Sequence, residues 1–181
     1  MFLLMQGYFL ALGAKRHGKL TQPSITSITN GQSRRAVRKI QGQRIYFDAN
    51  FLIYFFDKTE PYIIVVSQII LACDRNEVFG CTGDAAVAEL MVYPYRTRDE
   101  IEIARGKAFF MRENFLQVLP HDSAVFDTAA RLRAETGMKL IDALHYATAL
   151  KAGCKFFITN DTGIHSTDAL EVISIKDCCD R

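Results

Sequence analysis

Five short apolar runs punctuate this chain: RIYF at 44–47, VFGCTG at 78–83, FLQVLP at 115–120, KFFITN at 155–160 and LEVISI at 170–175. Segments of helical character lie between them. Residues 62–76, YIIVVSQIILACDRN, repeat apolar side chains at helical spacing. A helix is expected over about 84–93, ending near Pro94, and one long or two short helices over 96–115. Ser123 is an N-cap candidate for a helix that stops at Gly137, and a further helix over about 140–152 closes at Gly153. Strands alternating with helices predict an α/β fold with a central parallel sheet and helices on both faces. Such sheets bind ligands outside the carboxyl ends of their strands, so that rim is where function is expected.

At 181 residues and 49% hydrophobic, the chain suits one globular domain with a sizeable core. Its net charge of +2 conceals an asymmetry. Residues 1–43 hold Lys15, Arg16, Lys19, Arg34, Arg35, Arg38 and Lys39 and no acid, which leaves 15 basic against 20 acidic residues beyond them. The body is therefore mildly acidic, and a broad nucleic-acid-binding surface would have to come from the basic stretch or from a local patch. Residues 1–43 are expected to be a flexible basic extension, and residues 44–177 the functional domain. The apolar opening MFLLMQGYFLALG is too short to span a bilayer and lacks the basic flank and cleavage site of a signal peptide. Five cysteines without a CxxC pair or a Cys/His ligand spacing suggest neither a disulfide framework nor a zinc site. A reducing cytoplasm is the expected location.

Four carboxylates stand in or beside apolar segments: Asp48 in RIYFDANFLIYF, Glu89 in AAVAELMVYP, Asp142 in KLIDALHYATAL and Asp161 in FFITNDTGI. Unpaired charge is costly to bury, so a shared cation is the simplest account of their placement. Asp48 and Asp161 follow strands, and Glu89 and Asp142 can reach the same rim from helices. Each acid also has a plainer reading. Asp48 suits a strand-end turn, Asp142 a helix start helped by the dipole, Asp161 an Asn-Asp-Thr-Gly turn, and Glu89 an exposed helix position.

D-x-N after the first strand, a helical Glu 41 positions on, the Leu-Ile-Asp-Ala helix start and the Ile-Thr-Asn-Asp strand end together resemble a PIN domain, more narrowly the VapC-type toxins. The resemblance covers about residues 44–175. It implies a PIN-like three-layer α/β/α fold and a metal-dependent endoribonuclease, with Asp48, Glu89, Asp142 and Asp161 as catalytic metal ligands for Mg²⁺ or Mn²⁺. Hard divalent cations do prefer such oxygen donors. Asn50 and Thr159 would orient Asp48 by hydrogen bonds. An RNA substrate, a small antitoxin protein and a homodimer are the partners that the resemblance implies, with no membrane association.

Other residues fit blander roles. Asp57 suits a turn and Asp84 a helix cap, while His121 and His165 lie in loop-like surroundings. His145 reads as a packing or substrate-side residue. Arg96, Arg98, Lys107 and Arg112 offer a phosphate-contacting face that could equally be solvated, and Tyr93 and Tyr95 could stack on unpaired bases. An aspartyl phosphatase would need an acid two positions after Asp48, where Asn50 stands. A non-catalytic PIN domain that binds RNA or a protein partner is the alternative, and its usual sign would be the loss of one or more of the four acids.

Overall fold

The computed structural model describes residues 31–111 and 116–179. Helix α1 (Gly31–Ile40) leads into strand β1 (Arg44–Phe47) and helices α2 (Ala49–Phe56) and α3 (Ile63–Asp74). Then follow β2 (Phe79–Gly83), α4 (Asp84–Thr97), α5 (Glu100–Phe110) and β3 (Gln117–Leu119). The chain continues through α6 (Ser123–Thr136), α7 (Leu140–Lys151), β4 (Phe156–Thr159) and β5 (Glu171–Ser174) to a 3-10 turn at Lys176–Cys178.

The expected parallel sheet is present, with strand order β3-β2-β1-β4-β5. From β1 the chain first builds outwards through β2 and β3, then crosses to the other side for β4 and β5. The order therefore reverses between β1 and β4, and at such a switch point the two crossovers leave a crevice at the strands' carboxyl ends.

Alternation along β1 and β4 divides the core. Ile45, Phe47, Phe156 and Ile158 face one layer with α1, α2 and α3, where Phe51, Leu52, Val66, Ile69 and Ile70 are sealed from solvent. Tyr46 and Phe157 face the other layer, and Tyr146 and Ala149 of α7 pack on them. Helix α6 covers α7 through Val125 and Ala129. The result is the three-layer α/β/α arrangement, and YIIVVSQII supplies its core.

Several local expectations are corrected. NFLIYFF, to which the sequence reading assigned no element, is helical, capped by Asp48, whose carboxylate accepts from the Ala49 amide at 2.8 Å. Because Phe51, Leu52, Phe55 and Phe56 are all buried, its apolar residues leave little polar face from which to read a helical period. Helix α4 runs through Pro94 to Thr97. Proline removes one amide donor, yet the helix continues one turn beyond it to Thr97, whose hydroxyl donates to the Tyr93 and Pro94 carbonyls. The cap of α6 is Asp122, which accepts from the Val125 amide at 3.0 Å, and Ser123 is the first helical residue. Asp57 closes α2, and Asp84 follows the cap residue Gly83.

The boundary at residue 44 also moves. Residues 31–40 form α1, whose Ile40 is 1% exposed within the main core, with Ala36 and Val37 packed against it. Lys39 pairs with Glu171 at 2.5 Å, and the Gly42 amide donates to the Glu77 carbonyl at 2.8 Å. The basic stretch is thus in part integral to the domain, and residues 1–30 of the expected extension lie outside the described residues, as does Arg112. Among the described residues no helix is long and apolar enough to cross a membrane.

Candidate active site

Asp48 stands at the switch point. Pairing of Phe47 with Ile158 is extended one step by the Asp48 amide, which donates to the Ile158 carbonyl at 3.2 Å. That register brings Asp48 opposite Thr159 at the end of β4. The Thr159 hydroxyl donates to Asp48 Oδ2 at 2.5 Å and accepts from the Asp161 amide at 2.9 Å. Asn50 Nδ2 reaches the same Asp48 oxygen at 3.3 Å. The two residues expected to orient Asp48 therefore both touch it. Asp161 is held in its turn by the Gly163 amide, which donates to Oδ1 at 2.7 Å.

Helix α7 packs over the Tyr46 face of the sheet and brings Asp142, in its first turn, to the same rim. Asp142 and His145 are three residues apart and share one helix face. His145 is 1% exposed. Its Nδ1 lies 2.8 Å from the Tyr46 hydroxyl, and its Nε2 lies 3.0 Å from Glu89 Oε2 and 3.9 Å from Asp48 Oδ1. His145 thus bridges α4 to the sheet end, a role the sequence reading missed. Its spacing from Asp142 in LIDALHYATAL was the available signal. His121 joins from the loop after β3, its ring 6.5 Å from that of His145 and its nitrogens sealed from solvent. Gly83, at the end of β2, makes room for this cluster. A Cβ there would come within 2.3 Å of the His121 ring and 2.8 Å of the Tyr46 hydroxyl oxygen. His165 is exposed.

The electrostatics are those of crowded acids. Burial pushes the Asp48 carboxyl above its ordinary range, opposed by the Thr159 hydrogen bond and His145 and reinforced by the Glu89 charge. Asp142 is also raised, by burial first and then by the charges of Asp161 and Asp48. Burial lowers the His121 imidazole. Among the described residues no Lys or Arg forms an ion pair with any of the four acids. A set of mutually repelling carboxylate oxygens suits a hard divalent cation in kind. In their present rotamers, however, no three His, Cys, Asp or Glu side chains among the described residues are grouped closely enough to hold a metal ion. The four acids share a rim without forming a closed ligand shell.

Comparison with known proteins agrees with this architecture. The model of the PIN domain matches residues 45–170. Ribonuclease VapC1 of Aquifex aeolicus (strain VF5) is 25% identical over 148 residues, which span 78% of this chain and 97% of that protein. The structure of VapBC2 from Rickettsia felis bound to a DNA fragment from its promoter is similar with a TM-score of 0.57 and 14% identity, over 72% of this chain and 98% of that one. A toxin-antitoxin complex from Klebsiella pneumoniae gives 0.54 and 18%, over 70% and 94%. Those identities speak for the fold alone. The family model spans the sheet from β1 to the threshold of β5, including all four rim acids, and this chain belongs to the PIN domain family.

Proposed function

We propose that the protein is a metal-dependent endoribonuclease that hydrolyses RNA phosphodiester bonds and acts as the toxin of a toxin–antitoxin pair. The observation that carries this reading is the meeting of Asp48, Glu89, Asp142 and Asp161 at one rim, at the switch point of the sheet, with no Lys or Arg ion-paired to any of them among the described residues and the Lys139 charge only partly offsetting the crowding at Asp142. The likeness to a protein named a ribonuclease supports it.

In this reading the four acids hold Mg²⁺ or Mn²⁺, both of which accept oxygen donors. The ion, when bound, supplies the polarisation of water and phosphate that phosphodiester hydrolysis requires. Thr159 and Asn50 aim Asp48, and the Thr159 donor favours its charged form against the effect of burial. Tyr93, 62% exposed and one turn beyond Glu89 on α4, offers a stacking surface for an unpaired base, with the Arg96 guanidinium 5.6 Å from its ring centre. The relatives of similar fold include toxin–antitoxin complexes, which supports an antitoxin as partner, with a basic side chain entering the acidic rim. Exposed Val92, Tyr95, Ile101 and Met111 on α4, α5 and the residue after it offer apolar surface for a homodimer. Cys73, Cys81, Cys154 and Cys178 are free and buried, in keeping with a reducing cytoplasm.

Cleavage of a mixed, end-labelled RNA pool in EDTA, Mg²⁺ or Mn²⁺, with Asp48→Asn prepared in parallel, tests the reading. Metal-dependent cleavage that disappears in the variant is expected. An equally active Asp48→Asn protein would remove Asp48 from the mechanism, and RNA binding without cleavage in any metal would favour the non-catalytic alternative.

A further inference from the structure

Glu89 differs from its three companions in how it is held. Asp48 and Asp161 accept backbone amides, and Asp142 stands in the first turn of α7. Glu89 lies midway along α4 with its side chain 40% exposed, and its one hydrogen-bond partner among the described residues is His145. A partly exposed glutamate without that anchor would sample several rotamers and lose conformational entropy on being ordered by a ligand.

In a neutral imidazole the partners decide which nitrogen carries the proton. An ionised carboxylate only accepts, so the 3.0 Å contact to Glu89 places the proton of a neutral imidazole on Nε2. Nδ1 is then an acceptor, and the Tyr46 hydroxyl, 2.8 Å away, donates to it. Tyr46 is itself immobile, fully buried and stacked on Phe157 with ring centres 5.1 Å apart. The chain Tyr46–His145–Glu89 therefore runs from a locked residue in the middle of the sheet to a carboxylate on a separate helix. Nε2 also lies 3.9 Å from Asp48 Oδ1, so the hydrogen that holds Glu89 sits beside the buried acid and offsets the repulsion between the two.

We propose that His145 is a positioning residue, which Tyr46 holds in its Nε2–H form and which fastens Glu89 beside Asp48 so that the two carboxylates face a divalent cation together. The proposal rests on the metal-site reading above. It leaves Glu89 Oε1 free to bind while Oε2 is anchored. Residues one shell out from a metal fix the orientation of its ligands in this way, and losing them typically weakens metal affinity about 10- to 100-fold.

The test is titration of Mn²⁺ alone, without RNA, into the full chain, with free Mn²⁺ followed by electron paramagnetic resonance. His145→Asn, whose amide is too short to reach Glu89, should weaken binding about 10- to 100-fold. His145→Gln, whose side-chain nitrogen reaches the place of Nε2, should restore most of that loss, and Tyr46→Phe should weaken binding less than His145→Asn does. A packing role would not distinguish Gln from Asn in that order. Binding by His145→Asn as tight as, or tighter than, that of the wild type would overturn the proposal while leaving the metal site standing. No binding by the wild type would overturn the metal-site reading itself. Should the variants fail to fold, the ¹⁵N shifts of the His145 ring in the wild-type protein decide the matter. Protonated Nε2 with bare Nδ1 is expected, and the opposite tautomer would sink the proposal.

Discussion

Replacing Thr159 with valine keeps the shape of a side chain that is 1% exposed and removes only its hydroxyl. Two hydrogen bonds go with it, the 2.5 Å donation to Asp48 Oδ2 and the 2.9 Å acceptance from the Asp161 amide. A hydrogen bond to a charged group contributes about 1.5–3 kcal/mol. The Asp161 amide lies at a partly exposed turn and can turn to water, so its loss adds about 0.5–1 kcal/mol. The expected cost is about 2–4 kcal/mol at neutral pH, or a fall in Tm of roughly 5–12 °C for a domain of this size. The pH dependence identifies the cause. The Thr159 hydroxyl stabilises the ionised form of Asp48, so its full worth is present where Asp48 is charged in the folded protein. It fades as pH falls through the folded pKa, which burial has raised above 3.8. Urea unfolding in EDTA from pH 8 to pH 4 measures this directly, with Thr159→Ser, which keeps the hydroxyl and loses about 1 kcal/mol of methyl packing, as control. A valine variant within about 0.5 kcal/mol of the wild type, or a deficit that does not shrink in acid, would refute the reasoning.

Asp48→Asn probes the same carboxylate from the other side. A raised folded pKa means that the native state binds the proton more tightly, so the metal-free protein loses stability as pH rises from 3.8 through the folded value, by up to about 1.4 kcal/mol per pH unit for each linked proton. The asparagine variant should show a flatter profile by urea denaturation in EDTA, and a profile as steep as the wild type's would clear Asp48 of the effect. Helix α1 supplies a separate test. Ile40→Ala should cost about 2–4 kcal/mol by calorimetry, and a chain beginning at Arg44 should melt below one beginning at Gly31. Equal melting of the two truncated chains would show α1 to be dispensable.

Much of the fold was legible because it depends on local pattern. The runs at 44–47, 78–83 and 155–160 are apolar enough for strands that are mostly buried, as in a parallel sheet covered on both faces. Glycines ended helices α6 and α7 where their sequence positions implied, Gly137 in the left-handed region at φ 75° and Gly153 at φ 67°. Three other features were not local. NFLIYFF lacked polar punctuation because both sides of α2 are covered. Helix α1 looked like part of a basic tail because the seven cations of residues 1–43, four of them in the helix, outweighed in composition the few apolar residues that carry its contact through Ile40. His145 looked like packing because neither Tyr46 nor Glu89 is near it in sequence.

Asp48, Glu89, Asp142 and Asp161 stood out as candidates from the chain alone, because acids embedded in apolar segments are costly unless their charge is used. Their relation to one another was decided by tertiary structure. The reversal of strand order sets Asp48 against Thr159, and the packing of α7 over the Tyr46 face inserts an imidazole between Glu89 and Asp48. The physical reason is one of range. Hydrophobic period and turn chemistry act over a few residues and are written along the chain, whereas a hydrogen bond such as Tyr46 to His145 joins residues 99 positions apart and exists only once the sheet has brought them within 2.8 Å.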